Sequence, residues 1–182
     1  MPERLFLVGM MAAGKSTVAR LTAKQLGWPW VDTDDLVVRE TGATIADLFA
    51  RHGEPHFRRQ EARALESVRQ SQESLVVSVG GGVVLDPANR HALRESGTVV
   101  WLRARPETLI SRVRDGAGRP MLAGDTPEAR VETLRTLDAQ RRPLYEEVAQ
   151  EIVDVDDIDA RTVTARLLEK VGLGQTHREV HR

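Results

Sequence analysis

The run Gly9-Met10-Met11-Ala12-Ala13-Gly14-Lys15-Ser16 constrains this chain more than any other stretch. It satisfies the spacing G-x-x-x-x-G-K-[ST] and lies between an apolar, β-prone segment, Leu5 to Val8, and a helical pattern opening at Lys15. Strand, glycine-rich turn and helix N-terminus in that order form a cradle for an anion. Small residues let main-chain N–H groups close around it, and the helix adds a partial positive charge. Gly9, Met11, Ala12, Ala13, Gly14 and Thr17 are the candidates to line bound nucleotide phosphates. Lys15 would reach the β- and γ-phosphates, and Ser16 would ligate Mg²⁺. Only Lys15, Lys24 and Lys170 are lysines, so a lysine inside the loop stands out against a basic complement that is nearly all arginine. The competing reading is a glycine-rich turn that matches by accident, with both flanks correct by accident too. Taken alone, the loop implies nucleotide binding and leaves the acceptor open.

The rest of the chain repeats the same alternation. Short strand candidates at Leu5 to Val8, Trp30 to Asp32, Leu75 to Val79, Thr98 to Leu102 and Glu151 to Val155 are separated by helical patterns. Helices are expected from Lys15 to Leu26, Asp34 to Glu40, Ile45 to Arg51, Pro55 to Gln70, Pro87 to Glu95, Pro106 to Val113, Pro127 to Gln150 and Asp159 to Val171. This is the signature of an α/β fold with three α/β/α layers, a five-stranded parallel sheet and helices on both faces. One domain over residues 1–172 is expected, with a mobile lid at about 114–126 and a polar tail at 173–182. Trp28, Trp30 and Trp101 are expected in the core, and Arg39, Arg63, Arg69 and Arg90 on solvated helix faces. His52 and His56 flank Pro55 without a third metal ligand nearby and are expected as exposed turn residues.

Composition removes several classes of partner. The 182 residues carry a net charge of −1, which recommends neither nucleic acid nor an anionic membrane. The longest apolar runs are too short to span a bilayer, and residues 1–20 lack the pattern of a secretory signal. With no cysteine there are neither disulfides nor thiolate metal sites. A cytoplasmic monomer acting on small molecules is the expectation.

Three further groups suggest chemistry. Asp32-Thr33-Asp34 follows the second strand, at the sheet edge where ligands gather. Asp32 could hold the hydration shell of Mg²⁺, and Asp34 could accept a proton from an acceptor hydroxyl. Alternatively, Asp34 caps the next helix and Asp32 merely ends a strand. Arg58 shares a helix face with Glu61, Gly80-Gly81-Gly82 exposes backbone after the third strand, and Arg141 lies late in the long helix. Two guanidinium groups and bare backbone N–H groups suit a carboxylate, although Arg58 and Glu61 would also suit a surface pair. Arg119 lies in the glycine-rich segment, where it could close over a nucleotide or be solvated in a loose loop.

These motifs, with Phe57-Arg58-Arg59-x-Glu61, Arg119-Pro120 and Arg141-x-Pro143-Leu144-Tyr145, stand in the order and spacing of shikimate kinases. The chain resembles that family from Leu5 to about Val155. The resemblance implies a P-loop kinase fold and transfer of the γ-phosphoryl group of ATP to the 3-hydroxyl of shikimate. It implies a shikimate pocket of Asp34, Arg58, Gly80, Gly81, Gly82 and Arg141, the last in preference to Arg142. It makes Lys15, Asp34 and Arg119 the catalytic set, and Arg112 or neighbouring Arg114 the cation stacked on adenine. One departure is Ala12, where the family usually has glycine; a positive φ there would strain the loop by about 1 kcal/mol. Rival readings are a gluconate or other sugar-acid kinase, a nucleoside monophosphate kinase, and a non-catalytic nucleotide-binding regulator. The paired arginines favour a carboxylate acceptor, and an acceptor-side aspartate is superfluous in a mere binder.

Overall fold

Five short runs rich in Val and Leu form the strands β1 (Arg4–Val8), β2 (Trp30–Asp32), β3 (Leu75–Ser78), β4 (Thr98–Arg103) and β5 (Glu151–Asp154). The structure, a computed structural model, describes residues 2–113 and 126–173. All strands pair in parallel, in the order β2-β3-β1-β4-β5. β1 is central, with Phe6 opposite Val77 on one side and Val99 on the other. Leu5 to Val8 and Leu75 to Ser78 are buried without alternation, as strands covered on both faces must be.

The covering helices are α1 (Lys15–Leu26), α2 (Thr33–Thr41), α3 (Ile45–Arg69), α4 (Pro87–Ser96), α5 (Pro106–Arg112), α6 (Pro127–Val148) and α7 (Ala160–Lys170). α1 packs with α7 over one sheet face, and α4 packs with α6 over the other. Their ends follow local chemistry. Gly27 terminates α1 at φ 70°, a left-handed cap that suits glycine. Thr44 opens α3 by accepting from the Asp47 N–H while its own hydroxyl donates to the Asp47 carboxylate. The two helices expected at 45–51 and 55–70 form the single element α3, broken at Gly53 by non-helical angles (φ 75°, ψ 170°) just before Pro55.

Some expectations change. Trp30 is 37% exposed, because β2 is an edge strand and leaves one side of the residue uncovered. Arg90 is not simply solvated: it pairs with Glu147 at 2.9 Å and donates to the Val84 carbonyl, tying α4 to α6. Arg69 similarly bridges to Ser96 and Glu66. His52 and His56 lie within α3 rather than in a turn, with ring centroids 4.7 Å apart. A single 3₁₀ turn, Val83–Leu85, follows the triple glycine. The lid, with Arg119 and Arg114, and residues 174–182 of the tail lie outside the described residues.

Candidate active site

Three loops leave the C-terminal ends of adjacent strands β2, β3 and β1, and all open into one cavity of about 460 Å³. At such an edge of a parallel sheet the backbone turns away and leaves a crevice.

The loop after β1 is built for an anion. Gly9 has φ 142°, and a Cβ there would lie 2.6 Å from the Leu102 carbonyl oxygen, so the loop can pass β4 only as glycine. Gly14, at φ 92°, is the N-cap of α1 and offers no side chain to its first N–H groups. No acidic residue stands in that first turn, and Gly14, Lys15, Ser16 and Thr17 line the cavity. The Lys15 ammonium donates to the carbonyls of Gly9 and Met10 at 2.9 and 3.0 Å, folded over the loop. Ala12 adopts φ 65°, so the strain anticipated for a non-glycine residue is present. Met11 and Ala12 also line the cavity, whereas Ala13 is buried beneath it.

The acidic pair divides its tasks in the reverse of the capping alternative. Asp32 is the N-cap of α2: its Oδ1 accepts from the Asp34 N–H at 3.0 Å, and its Oδ2 accepts from the Ser16 hydroxyl at 2.6 Å. Asp34 is thereby freed. Its Oδ1 is buried with no hydrogen-bond partner among the described residues. Burial foremost, with Asp32 beside it, pushes the Asp34 carboxyl up to about 6, although Lys15 acts in the opposite direction.

The third loop is pinned so that only donors remain. The Gly80 N–H donates to the buried Thr33 hydroxyl at 2.8 Å, and the Gly80 carbonyl accepts from Val83. The Gly81 carbonyl accepts from the Tyr145 hydroxyl at 2.6 Å, and the Gly82 carbonyl accepts from Leu85. The N–H groups of Gly81 and Gly82 have no acceptor among the described residues, and both glycines line the cavity. Gly80 does not line it. Gly80 instead allows close approach, since a Cβ there would stand 2.6 Å from Asp34 Oδ1 and 2.7 Å from Glu61 Oε1.

Arg58 and Arg141 reach this cavity from two different helices, α3 and α6. Arg58 is held by Glu54 at 2.7 Å and by Glu61 at 2.5 Å. Glu61 is 2% exposed, and its burial pushes the carboxyl up to about 7 despite the guanidinium. Burial opposes the Arg58 charge, but the two glutamates more than offset it and the net shift is upward. Arg141 is 3% exposed, and its Nε has no hydrogen-bond partner among the described residues. Arg142, by contrast, is engaged by Asp138 at 2.9 Å, the Ala104 carbonyl and the Trp101 ring. Arg112 lines the same cavity and donates to the Val155 carbonyl at 2.9 Å.

The glycine-rich loop at the start of α1, two guanidinium groups and a carboxyl with an unpartnered oxygen thus line one cavity. The family model "Shikimate kinase" matches residues 11–172. This chain belongs to the shikimate kinase family. A shikimate kinase of Symbiobacterium thermophilum is 45% identical over 92% of this chain and 95% of its own length. One of Halorhodospira halophila is 42% identical over 92% and 93%. Among solved structures, a shikimate kinase from Acinetobacter baumannii in complex with shikimate superposes with a TM-score of 0.89 at 34% identity, covering 96% of each chain. A gluconokinase from Sinorhizobium meliloti, at 23% identity and a TM-score of 0.54, shares the fold alone.

Three groups that sequence reasoning gave no role complete the site of this shikimate kinase. Ile45, Phe49 and Phe57 supply an apolar wall, with the two rings 4.8 Å apart. Thr33 and Tyr145 anchor the triple glycine from behind. Glu54 joins Glu61 on Arg58 at helical spacing, and the i, i+4 separation was the signal available for it.

Proposed function

We infer that this chain transfers the γ-phosphoryl group of ATP to the 3-hydroxyl of shikimate, giving shikimate 3-phosphate and ADP. The observation that carries the reading is the shared cavity in which Lys15, Asp34, Arg58 and Arg141 converge. The Gly9–Ser16 loop and the open end of α1 hold the triphosphate, and Arg112 borders the base. Arg58, Arg141 and the free N–H groups of Gly81 and Gly82 hold the carboxylate of shikimate. That grip brings the 3-hydroxyl to Asp34, whose unpartnered oxygen accepts its proton as the hydroxyl oxygen attacks phosphorus. The bond from phosphorus to the β,γ-bridging oxygen breaks, and ADP leaves with that oxygen. Lys15 and, by resemblance, Arg119 balance the charge on the transferring group; the transition state is loose, so position and charge carry most of the acceleration. The Ser16 hydroxyl and Asp32 carboxylate, 2.6 Å apart, form an all-oxygen donor pair that fits Mg²⁺. Bound there with the phosphates, Mg²⁺ would offset their negative charge. A cytoplasmic monomer accords with these small-molecule substrates, and no described helix is long and apolar enough to cross a membrane.

Phosphoryl transfer to shikimate and gluconate, measured side by side, tests the assignment. Turnover with shikimate and little with gluconate is the expected result; equal rates, or none with shikimate, would overturn it. Arg58→Ala should raise the KM for shikimate by at least about tenfold and that for ATP far less, because a charge-assisted bidentate contact is removed from one substrate only. An equal rise in both would remove Arg58 from the carboxylate clamp.

A further inference from the structure

We propose that Tyr145 is a positioning residue for the acceptor: its hydroxyl fixes the Gly81–Gly82 peptide so that the Gly82 N–H joins the carboxylate receptor. The inference rests on the shikimate-kinase reading and adds a residue that does not itself line the cavity.

The geometry runs from α6 to the loop after β3. Tyr145 is 0% exposed, and its ring packs 5.9 Å from that of Trp101. Its hydroxyl donates to the Gly81 carbonyl at 2.6 Å from the core side of the loop. In a trans peptide the C=O and the following N–H point in opposite directions, and no cis bond occurs among the described residues. Anchoring the Gly81 oxygen toward Tyr145 therefore turns the Gly82 N–H the other way, toward the cavity that Gly82 lines and the Arg58 guanidinium that it abuts. Without that anchor, consecutive glycines have wide freedom to rotate the peptide plane, and a rotated plane would present a carbonyl oxygen to an anion.

Tyr145 also sits one helical turn from Arg141 on α6, and the guanidinium charge acts on the phenol. A Cβ built on Gly81 would meet both groups, at 3.5 Å from the Tyr145 oxygen and 3.6 Å from Arg141 Nη1. One hydroxyl thus binds the carbonyl of the peptide that carries the Gly82 N–H and lies beside the Arg141 cation. Burial holds the phenol far above its ordinary value, despite Arg141, so it remains a donor wherever the enzyme works.

Tyr145→Phe keeps the ring and its packing and deletes the anchor, together with a weak 3.7 Å contact from the hydroxyl to Met10 Sδ. In the variant the KM for shikimate should rise about tenfold, the scale of one well-placed hydrogen bond, while the KM for ATP holds within about twofold. The preference for shikimate over its methyl ester should shrink with it, a change that a merely structural loss would not produce. Unchanged shikimate KM, or equal rises for both substrates, would overturn the proposal. Wild-type turnover on shikimate keeps the two readings separable, since its absence would defeat the functional assignment rather than the role of Tyr145. Should the variant fail to fold, ¹H–¹⁵N spectra of the wild type decide. The Gly82 amide should move downfield with shikimate and not with the ester, and a Gly82 signal indifferent to the acid would refute the alignment.

Discussion

Asp34→Asn is expected to lower turnover on shikimate at least ~10²-fold while ATP binding persists. Asn keeps the shape of the side chain but cannot take the hydroxyl proton that the unpartnered Asp34 oxygen would accept. Single-turnover kinetics with a nucleotide-binding titration check the result, and near-normal turnover would remove Asp34 from the reaction. The wild type should show the same dependence through pH. With the Asp34 carboxyl at about 6 in the free enzyme, kcat/KM for shikimate should fall about tenfold between pH 7 and pH 5 as the base becomes protonated.

Stability should move against activity. Asp34 holds its proton more tightly in the folded protein, at about 6, than an ordinary aspartate does at 3.8. The folded state then binds more protons than the unfolded state between these values, so the charged carboxylate weakens the fold as pH rises through about 6. Below about pH 4 both states are protonated and the penalty is gone. Asp34→Asn should therefore exceed the wild type in stability by on the order of 2 kcal/mol at pH 8, with the gap closing toward pH 4. Urea denaturation at the two pH values measures it; a variant less stable at pH 8 would contradict burial as the cause.

Gly80→Ala should reduce kcat/KM for shikimate by about 10²-fold, the scale on which a misplacement of ~1 Å acts, with nucleotide affinity unchanged. The added methyl would meet the ends of two side chains, Asp34 and Glu61, rather than backbone. Those ends would have to swing aside, so that Asp34 would leave the acceptor hydroxyl and Glu61 would release Arg58. A variant that folds but has failed acceptor kinetics with intact nucleotide binding is the expected outcome. Full activity would mean that the carboxylates have room to spare.

Most of the sheet was legible because its signals are local. The P-loop needs its strand and helix within a few residues, and short Val-rich runs bounded by turn residues favour strands covered on both faces. The break in α3 was readable from Gly53 and Pro55, although the two pieces join into one element. The division of labour between Asp32 and Asp34 was not readable. Either could cap α2 by sequence, and what decides is Ser16, brought from the first turn of α1 to occupy Asp32. Trp30 misled for the same reason: its apolarity is visible in the chain, but the edge position of β2 is a property of the assembled sheet. Tyr145 appeared in the sequence only as part of a motif, and its partner lies 64 positions away.

The order of the strands has a consequence for how this enzyme comes into being. β1 pairs with β3, Arg4 opposite Leu75, and not with the strand next to it in sequence. The cleft is thus closed by long-range parallel pairing, a slow kind of contact to form, and Arg141 arrives only with α6. A nascent chain can emerge with its phosphate loop complete and still have no place for an acid beside it.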